Sequence, residues 1–300
     1  MKAAVVGLGS MGRRYADILL EHPDEPDIAL CDTFVEPDIK QLKNFPHREV
    51  SFFQEYDRLL KNFMPDVIFI ATPARFHFKM AMQARASDKR CAILIQKPLS
   101  NTDLTDEQVR WCVEESGLIS VGYNWRFHTL VQHLHGVKNN IEDITFFVAS
   151  DMRNWPGKDY ADPLREFSHD IDLVSYLTTN AHVTQVTERK AWNGNERIHI
   201  RGEHDHGIWR VIVSPFEEPT RWCRVKLTDG LRLNKRMALT NDDLMSLYSQ
   251  EAHELIVAWA DGRGPEDLTC PLTDALRTTL LVDRIGTMVV KNTSFDGFVM

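Results

Sequence analysis

A chain of 300 residues with 43% apolar side chains can bury more than one core, and its length suits two domains better than one. Its formal net charge of -8 leaves no broad basic field, which excludes a phosphate backbone or an anionic lipid surface as the expected partner. The five cysteines (Cys31, Cys91, Cys112, Cys223, Cys270) are an odd number with no Cys-x-x-Cys pair, the pattern of buried thiols in a reducing compartment and not of a disulfide frame or a zinc knuckle.

With the first strand beginning almost at Met1, no leader is expected, no apolar run reaches bilayer length, and the cytoplasm is the expected location. That strand runs through Val5-Val6 into Gly7-Leu8-Gly9-Ser10-Met11-Gly12, and Arg13 to Leu20 then reads as a helix. Strand, G-x-G-x-x-G turn and helix are the parts of a dinucleotide site. Gly7 permits the tight turn, Gly9 lets the backbone approach a pyrophosphate, and Gly12 lets helix and strand pack closely. The phosphates would face the partly positive helix N-terminus, at Ser10 and Met11. The next apolar run, Ile28 to Cys31, ends in Asp32, at the distance where a ribose-binding acid is expected. An acid there accepts from the ribose hydroxyls and repels a 2'-phosphate, which favours NAD over NADP; Glu36 is a second candidate.

Short apolar strands then alternate with helical stretches. The strands are Val50 to Phe53, Asp66 to Ile70, Cys91 to Ile95 and Leu118 to Val121; the helices lie around Tyr56 to Asn62, Phe76 to Ala86 and Thr105 to Ser116. This alternation predicts an α/β unit with a doubly wound parallel sheet over residues 1–121. Ligands of such sheets bind beyond the carboxyl ends of strands where strand order reverses, so the loops at Ala71-Thr72-Pro73-Ala74 and Gln96-Lys97-Pro98-Leu99-Ser100 stand out.

From Gly122 the pattern changes. Tyr123-Asn124-Trp125-Arg126-Phe127 leads into a helix to about Lys138, then a strand-like run from Ile144 to Asp151, a loop from Met152 to Pro163 with Trp and Pro, and a helix from about Leu164 to Leu177. Alternating segments at Val183 to Ala191, Arg197 to Gly202, Ile208 to Val213 and Trp222 to Leu227 predict a large, open, mainly antiparallel sheet. Helices around Asp242 to Ala260 and Asp274 to Val289 follow, the first with Met245, Leu247, Leu255 and Ile256 on an apolar face. Residues 122–300 are thus expected to form an α+β domain. His204-Asp205-His206, with His199 nearby, reads as a hairpin turn and not as a metal site, because two histidines two apart need a third ligand.

The ordered motifs GLGSMG, ATPARFH, QKPLS, GYNWRF and SHDIDL resemble the glucose-fructose oxidoreductase and inositol dehydrogenase family over nearly the whole chain. The resemblance implies a Rossmann domain that binds NAD or NADP, and a second domain whose open sheet holds a sugar-like substrate. The family's Glu-Lys-Pro falls on Gln96-Lys97-Pro98, so Lys97 resembles the catalytic lysine, with Gln96 in place of the usual acid. The chemistry agrees with that role. Oxidising a secondary alcohol requires its proton to leave as hydride departs; a strand-end lysine can take that proton, and its ammonium form polarises a carbonyl in the reverse direction.

His169 resembles the family histidine at the start of a helix lining the substrate site. The acid before it, Glu166, is three residues away and would share its helical face, either gripping a neighbouring hydroxyl or orienting the imidazole; Asp172 is the alternative orienting group. The Gly-rich run that commonly precedes this helix is absent, with Asp162-Pro163-Leu164-Arg165 in its place. By resemblance Thr72, Pro73 and His77, together with Lys97, lie along the cofactor, and Asn124 and Arg126 near the substrate, where Arg126 could clamp a carboxylate or phosphate or take part in an ordinary interdomain salt bridge. Trp155 and Tyr160 could wall a sugar ring or anchor the core. The expectation is an NAD(P)-dependent oxidoreductase acting on a sugar, cyclitol or sugar acid. A lyase or glycosidase using transient oxidation, or an NAD(H)-binding sensor, are the alternatives, and a homo-oligomer through the open sheet is expected because such a face needs cover.

Overall fold

The alternation of apolar strand and helix near the start of the chain folds as a parallel sheet covered on both faces. In the computed structural model, residues 1–33, 49–150, 167–190, 196–215, 220–237 and 239–293 are described. The chain divides into two units, Met1–Phe127 with Asn241–Leu276, and His128–Thr240 with Arg277–Met300.

The first unit holds β1 (Lys2–Val6), β2 (Asp27–Cys31), β3 (Val50–Phe53), β4 (Val67–Ile70), β5 (Ala92–Ile95) and β6 (Ile119–Val121), all parallel, in the order β3-β2-β1-β4-β5-β6. Every residue of β4 and β5 is buried, which is why these strands read as continuous apolar runs and not as alternation. The helices are α1 (Ser10–Leu20), α2 (Tyr56–Arg58) running on into a π-helical turn (Leu59–Phe63), α3 (His77–Ser87) and α4 (Asp106–Glu114). Thr105 and Gln108 cap α4 reciprocally, two N-terminal amide donors satisfied by two side chains. Strand order reverses between β1 and β4, the place where a doubly wound sheet opens a ligand crevice.

The second unit holds α5 (Thr129–Gly136), β7 (Ile141–Ser150), α6 (Ser168–Leu177), β8 (His182–Lys190), β9 (Glu196–His204), β10 (Gly207–Pro215), β11 (Thr220–Leu227) and β12 (Arg232–Arg236), with sheet order β12-β11-β7-β10-β9-β8. The pairing is antiparallel except where β10 lies parallel to β7. Ile144, Phe146 and Val148 of β7 and Trp209, Val211 and Val213 of β10 are buried, and α6, whose Ile171, Val174 and Leu177 are buried too, packs against both strands. β12 is absent from the strands expected above. Its sequence, Arg-Leu-Asn-Lys-Arg, has no apolar alternation because it is an exposed, charged edge strand. The hairpin expected at His204–His206 forms between β9 and β10, where His204 Nδ1 accepts from the His206 amide and Asp205 accepts from Asn180.

The chain then returns. Helix α7 (Asn241–Ala260) belongs to the first unit, where Tyr248, Ala252, Leu255 and Ile256 share a core with Tyr15, Leu19, Phe69 and Leu94. The division expected at residue 121 differs from this arrangement, because the apolar face of α7 closes the first sheet, and α8 (Leu272–Thr293) begins in one unit and continues in the other. All five cysteines are buried free thiols; burial pushes Cys31, Cys91, Cys112 and Cys223 up to about 12. Among the described residues no helix is long and apolar enough to cross a membrane.

Candidate functional site

The Gly7–Gly12 turn joins β1 to α1 at the switch point. Gly7 has φ +88°, and a Cβ there would lie 2.8 Å from the Ala71 carbonyl carbon, so a side chain is excluded twice. At Gly12 a Cβ would collide with the Gly7 carbonyl oxygen, the close helix-to-strand approach expected of that position. Gly9 differs from both: it is exposed, and no atom lies within 4 Å of where its Cβ would stand. That open space, beside the first turn of an 11-residue helix with no side-chain cap, fits a pyrophosphate on backbone amides. Asp32, just after β2, accepts from the Leu8 amide at 2.7 Å, which holds the turn against the acid that would meet a ribose. These groups fit NAD.

At the end of β4, Thr72 and Pro73 enter a short 3-10 turn (Ala74–Phe76) that leads to α3. His77 is buried. Its Nε2 meets the Thr72 carbonyl at 2.8 Å and its Nδ1 the Pro98 carbonyl at 2.9 Å, so the ring ties the loop after β4 to the loop after β5. Burial lowers its pKa, while both carbonyl contacts favour the protonated form. Lys97, half-buried at the end of β5, has its backbone amide donating to Gln96 Oε1 at 3.0 Å. Gln96 Nε2 donates to the Tyr15 hydroxyl at 2.9 Å, and Tyr15 donates to Glu251 Oε2 at 2.9 Å. Burial raises Glu251 to about 8. Tyr15 and Glu251 were missed in the sequence, although an acid among Leu247, Tyr248, Ala252 and Leu255 on the inward face of a helix is a signal that was available.

After β6, Asn124 and Arg126 lie in a 3-10 turn (Asn124–Phe127), both fully enclosed. The amide of Asn124 makes no hydrogen bond of good geometry among the described residues and sits beside the Tyr248 hydroxyl. The structure corrects the substrate-clamp reading of Arg126. Its side chain is 0% exposed, with Nη1 2.8 Å from the Thr269 carbonyl and 2.9 Å from Asp274 Oδ2, so the guanidinium holds its own unit together.

In the second unit His169 sits buried in the first turn of α6. Its neighbours on that helix have structural partners: Asp170 takes a two-pronged ion pair from Arg221 at 2.8 and 3.2 Å, and Asp172 accepts from Thr278 at 2.9 Å. Glu166, Trp155 and Tyr160 lie outside the described residues. Among the described residues no group of three or more His, Cys, Asp or Glu is placed to hold a metal.

Comparison with known proteins agrees with this geometry. Residues 1–123 match the model of an oxidoreductase family with an NAD-binding Rossmann fold. The chain is similar in fold to myo-inositol dehydrogenase from Lactobacillus casei in complex with NAD(H) and myo-inositol (TM-score 0.77, 15% identity, 97% of this chain and 94% of that one). It is also similar to scyllo-inositol dehydrogenase from Lactobacillus casei with NAD(H) and scyllo-inositol (TM-score 0.74, 15% identity, 97% of each chain). In sequence, 127 residues are 25% identical to a glycosyl hydrolase family 109 protein from Streptomyces niveus, a match over 38% of this chain and 26% of that protein's length. The family match is thus confined to the first 123 residues, and over the remainder of the chain the likeness to these dehydrogenases is one of fold.

Proposed function

We propose that this chain interconverts a secondary alcohol and its ketone on a sugar, cyclitol or sugar acid. The observation that carries the reading is Lys97 at the carboxyl end of β5, on the strand next to the switch-point strand β4 and in the same unit as the open cradle at Gly9. The Gly7–Gly12 turn, Asp32, Thr72 and Pro73 would hold NAD, which when bound supplies the hydride chemistry. Lys97 Nζ takes the hydroxyl proton during oxidation and returns it during reduction. His169, with Glu166, handles that proton further or grips a neighbouring hydroxyl, while Asn124, Trp155 and Tyr160 orient the ring. The inositol complexes of the two similar dehydrogenases support a cyclitol-like substrate. The reading extends to a homo-oligomer through the outer face of the second sheet, where Trp222 and Arg224 are exposed.

The test is Lys97→Met, assayed with a panel of cyclitols and sugars by NADH absorbance. Turnover is expected to fall about 10³-fold while NADH still binds. An unchanged rate would remove Lys97 from the chemistry. The match to a glycosyl hydrolase family 109 protein favours a second reading, transient oxidation that releases a leaving group. Release of an aglycone without net NADH would select it.

A further inference from the structure

The exchange of the family's acid for Gln96 looks at first like the loss of a catalytic charge. The contacts around Gln96 say otherwise. Its side chain is 5% exposed, and both ends of the amide are used in opposite senses: Oε1 accepts from the Lys97 backbone and Nε2 donates to Tyr15. A Cβ on Gly122 would stand 3.1 Å from Nε2, so the missing side chain at Gly122 makes room for the amide. Tyr15, fully enclosed, has a single hydroxyl proton, and it goes to Glu251, itself 1% exposed. The hydrogen bonds therefore run one way at this end, from Gln96 to Tyr15 to Glu251, and Gln96 in turn receives the amide of Lys97.

Where Glu251 is ionised, an acid at position 96 could not join this chain as it stands; where Glu251 keeps its proton, that proton is a second donor. Two carboxylates would flank one hydroxyl, and its one proton satisfies only one of them, leaving a buried acceptor without a donor. An acid at 96 with an amide at 251 would work, because the amide would donate to Tyr15 and Tyr15 to the acid. The carboxyl group can therefore move to 96 only if an amide takes its place at 251, whereas an amide at both positions still leaves Tyr15 an acceptor.

We propose that Gln96, Tyr15 and Glu251 form a directed hydrogen-bond chain that positions Lys97, and that Glu251 compensates for the missing acid at 96, so that the site is complete and not decayed. Its catalytic half rests on the oxidoreductase reading above, with Gln96, Tyr15 and Glu251 as positioning residues that act through Lys97.

The experiment is a swap cycle on the full chain, run above pH 8 where Glu251 is ionised: Gln96→Glu, Glu251→Gln and the double variant, each measured for urea midpoint, NADH affinity, kcat and KM. Gln96→Glu is expected to lower the urea midpoint and to cut kcat about tenfold with KM changed less than about twofold, since a misplaced Lys97 affects the reacting step. Glu251→Gln alone keeps an acceptor for Tyr15 and should lose less than about threefold. The double variant should regain most of both losses, a coupling that independent sites do not show. Additive losses in both measures would overturn the chain. Coupling in urea midpoint alone would reduce it to a structural element and overturn the positioning role. If the wild type turns over no alcohol or ketone, the oxidoreductase reading and the positioning role fail together, while the directed chain is still decided by the urea cycle.

Discussion

Two loops of the first unit, the Gly7–Gly12 turn after β1 and the Gln96–Pro98 loop after β5, with β4 between them in the sheet, are held by opposite means. The Gly turn depends on side chains that are absent: the backbone at Gly7 and Gly12 approaches its surroundings more closely than a Cβ allows, and Gly9 stands clear. The lysine loop depends on side chains that arrive from far away, Tyr15 on α1, Glu251 on α7 and His77 on α3. Backbone sterics are local, so the first loop tolerates nothing at two positions. The second tolerates exchange as long as donors and acceptors still match.

That contrast can be broken experimentally, most severely at Gly12. Gly12→Ala should destabilise the first unit by more than about 3 kcal/mol, because backbone must move to clear the Gly7 carbonyl, and NADH binding should go with it. A urea midpoint near that of the wild type would show that the turn has slack. The pH dependence of Glu251 comes next. Its folded value near 8 exceeds the ordinary 4.5, so between these limits the native state holds a proton that the unfolded chain has released. Stability therefore falls as pH rises from about 4.5 to about 8, by a loss on the order of 5 kcal/mol. Glu251→Gln, unable to ionise, should flatten that slope; an unchanged slope would assign it to other groups.

The smallest effect on folding is expected at Gly9. Because a Cβ there meets nothing within 4 Å, Gly9→Ala should leave stability within about 0.5 kcal/mol and still weaken NADH about tenfold by filling the cradle. Unchanged NADH affinity would place the pyrophosphate elsewhere. Paired with Gly12→Ala, this variant separates a glycine kept for packing from one kept for a ligand.

Much of the first unit was legible because its determinants are near neighbours in the chain. Strand, G-x-G-x-x-G turn, helix and the acid after β2 are adjacent in sequence, and continuous apolar runs announce strands buried on both faces. The second sheet was legible as mainly antiparallel from alternation, whereas its charged edge strand, β12, carried no such pattern. Arg126 shows the limit of a motif. Resemblance put it near a substrate, and only its enclosure against Thr269 and Asp274 assigned it to holding the unit together.

By itself, then, the sequence determined the parallel sheet, the dinucleotide turn and the place of Lys97 at a strand end, since each follows from local sterics and the period of burial. Tertiary structure decided that α7 returns to the first unit, and that Gln96 finds its partners 81 residues away in Tyr15 and, through it, in Glu251 another 236 along the chain. The physical reason is directionality. Whether a buried amide can replace an acid depends on which neighbour holds the proton, and that neighbour is fixed only when distant segments pack.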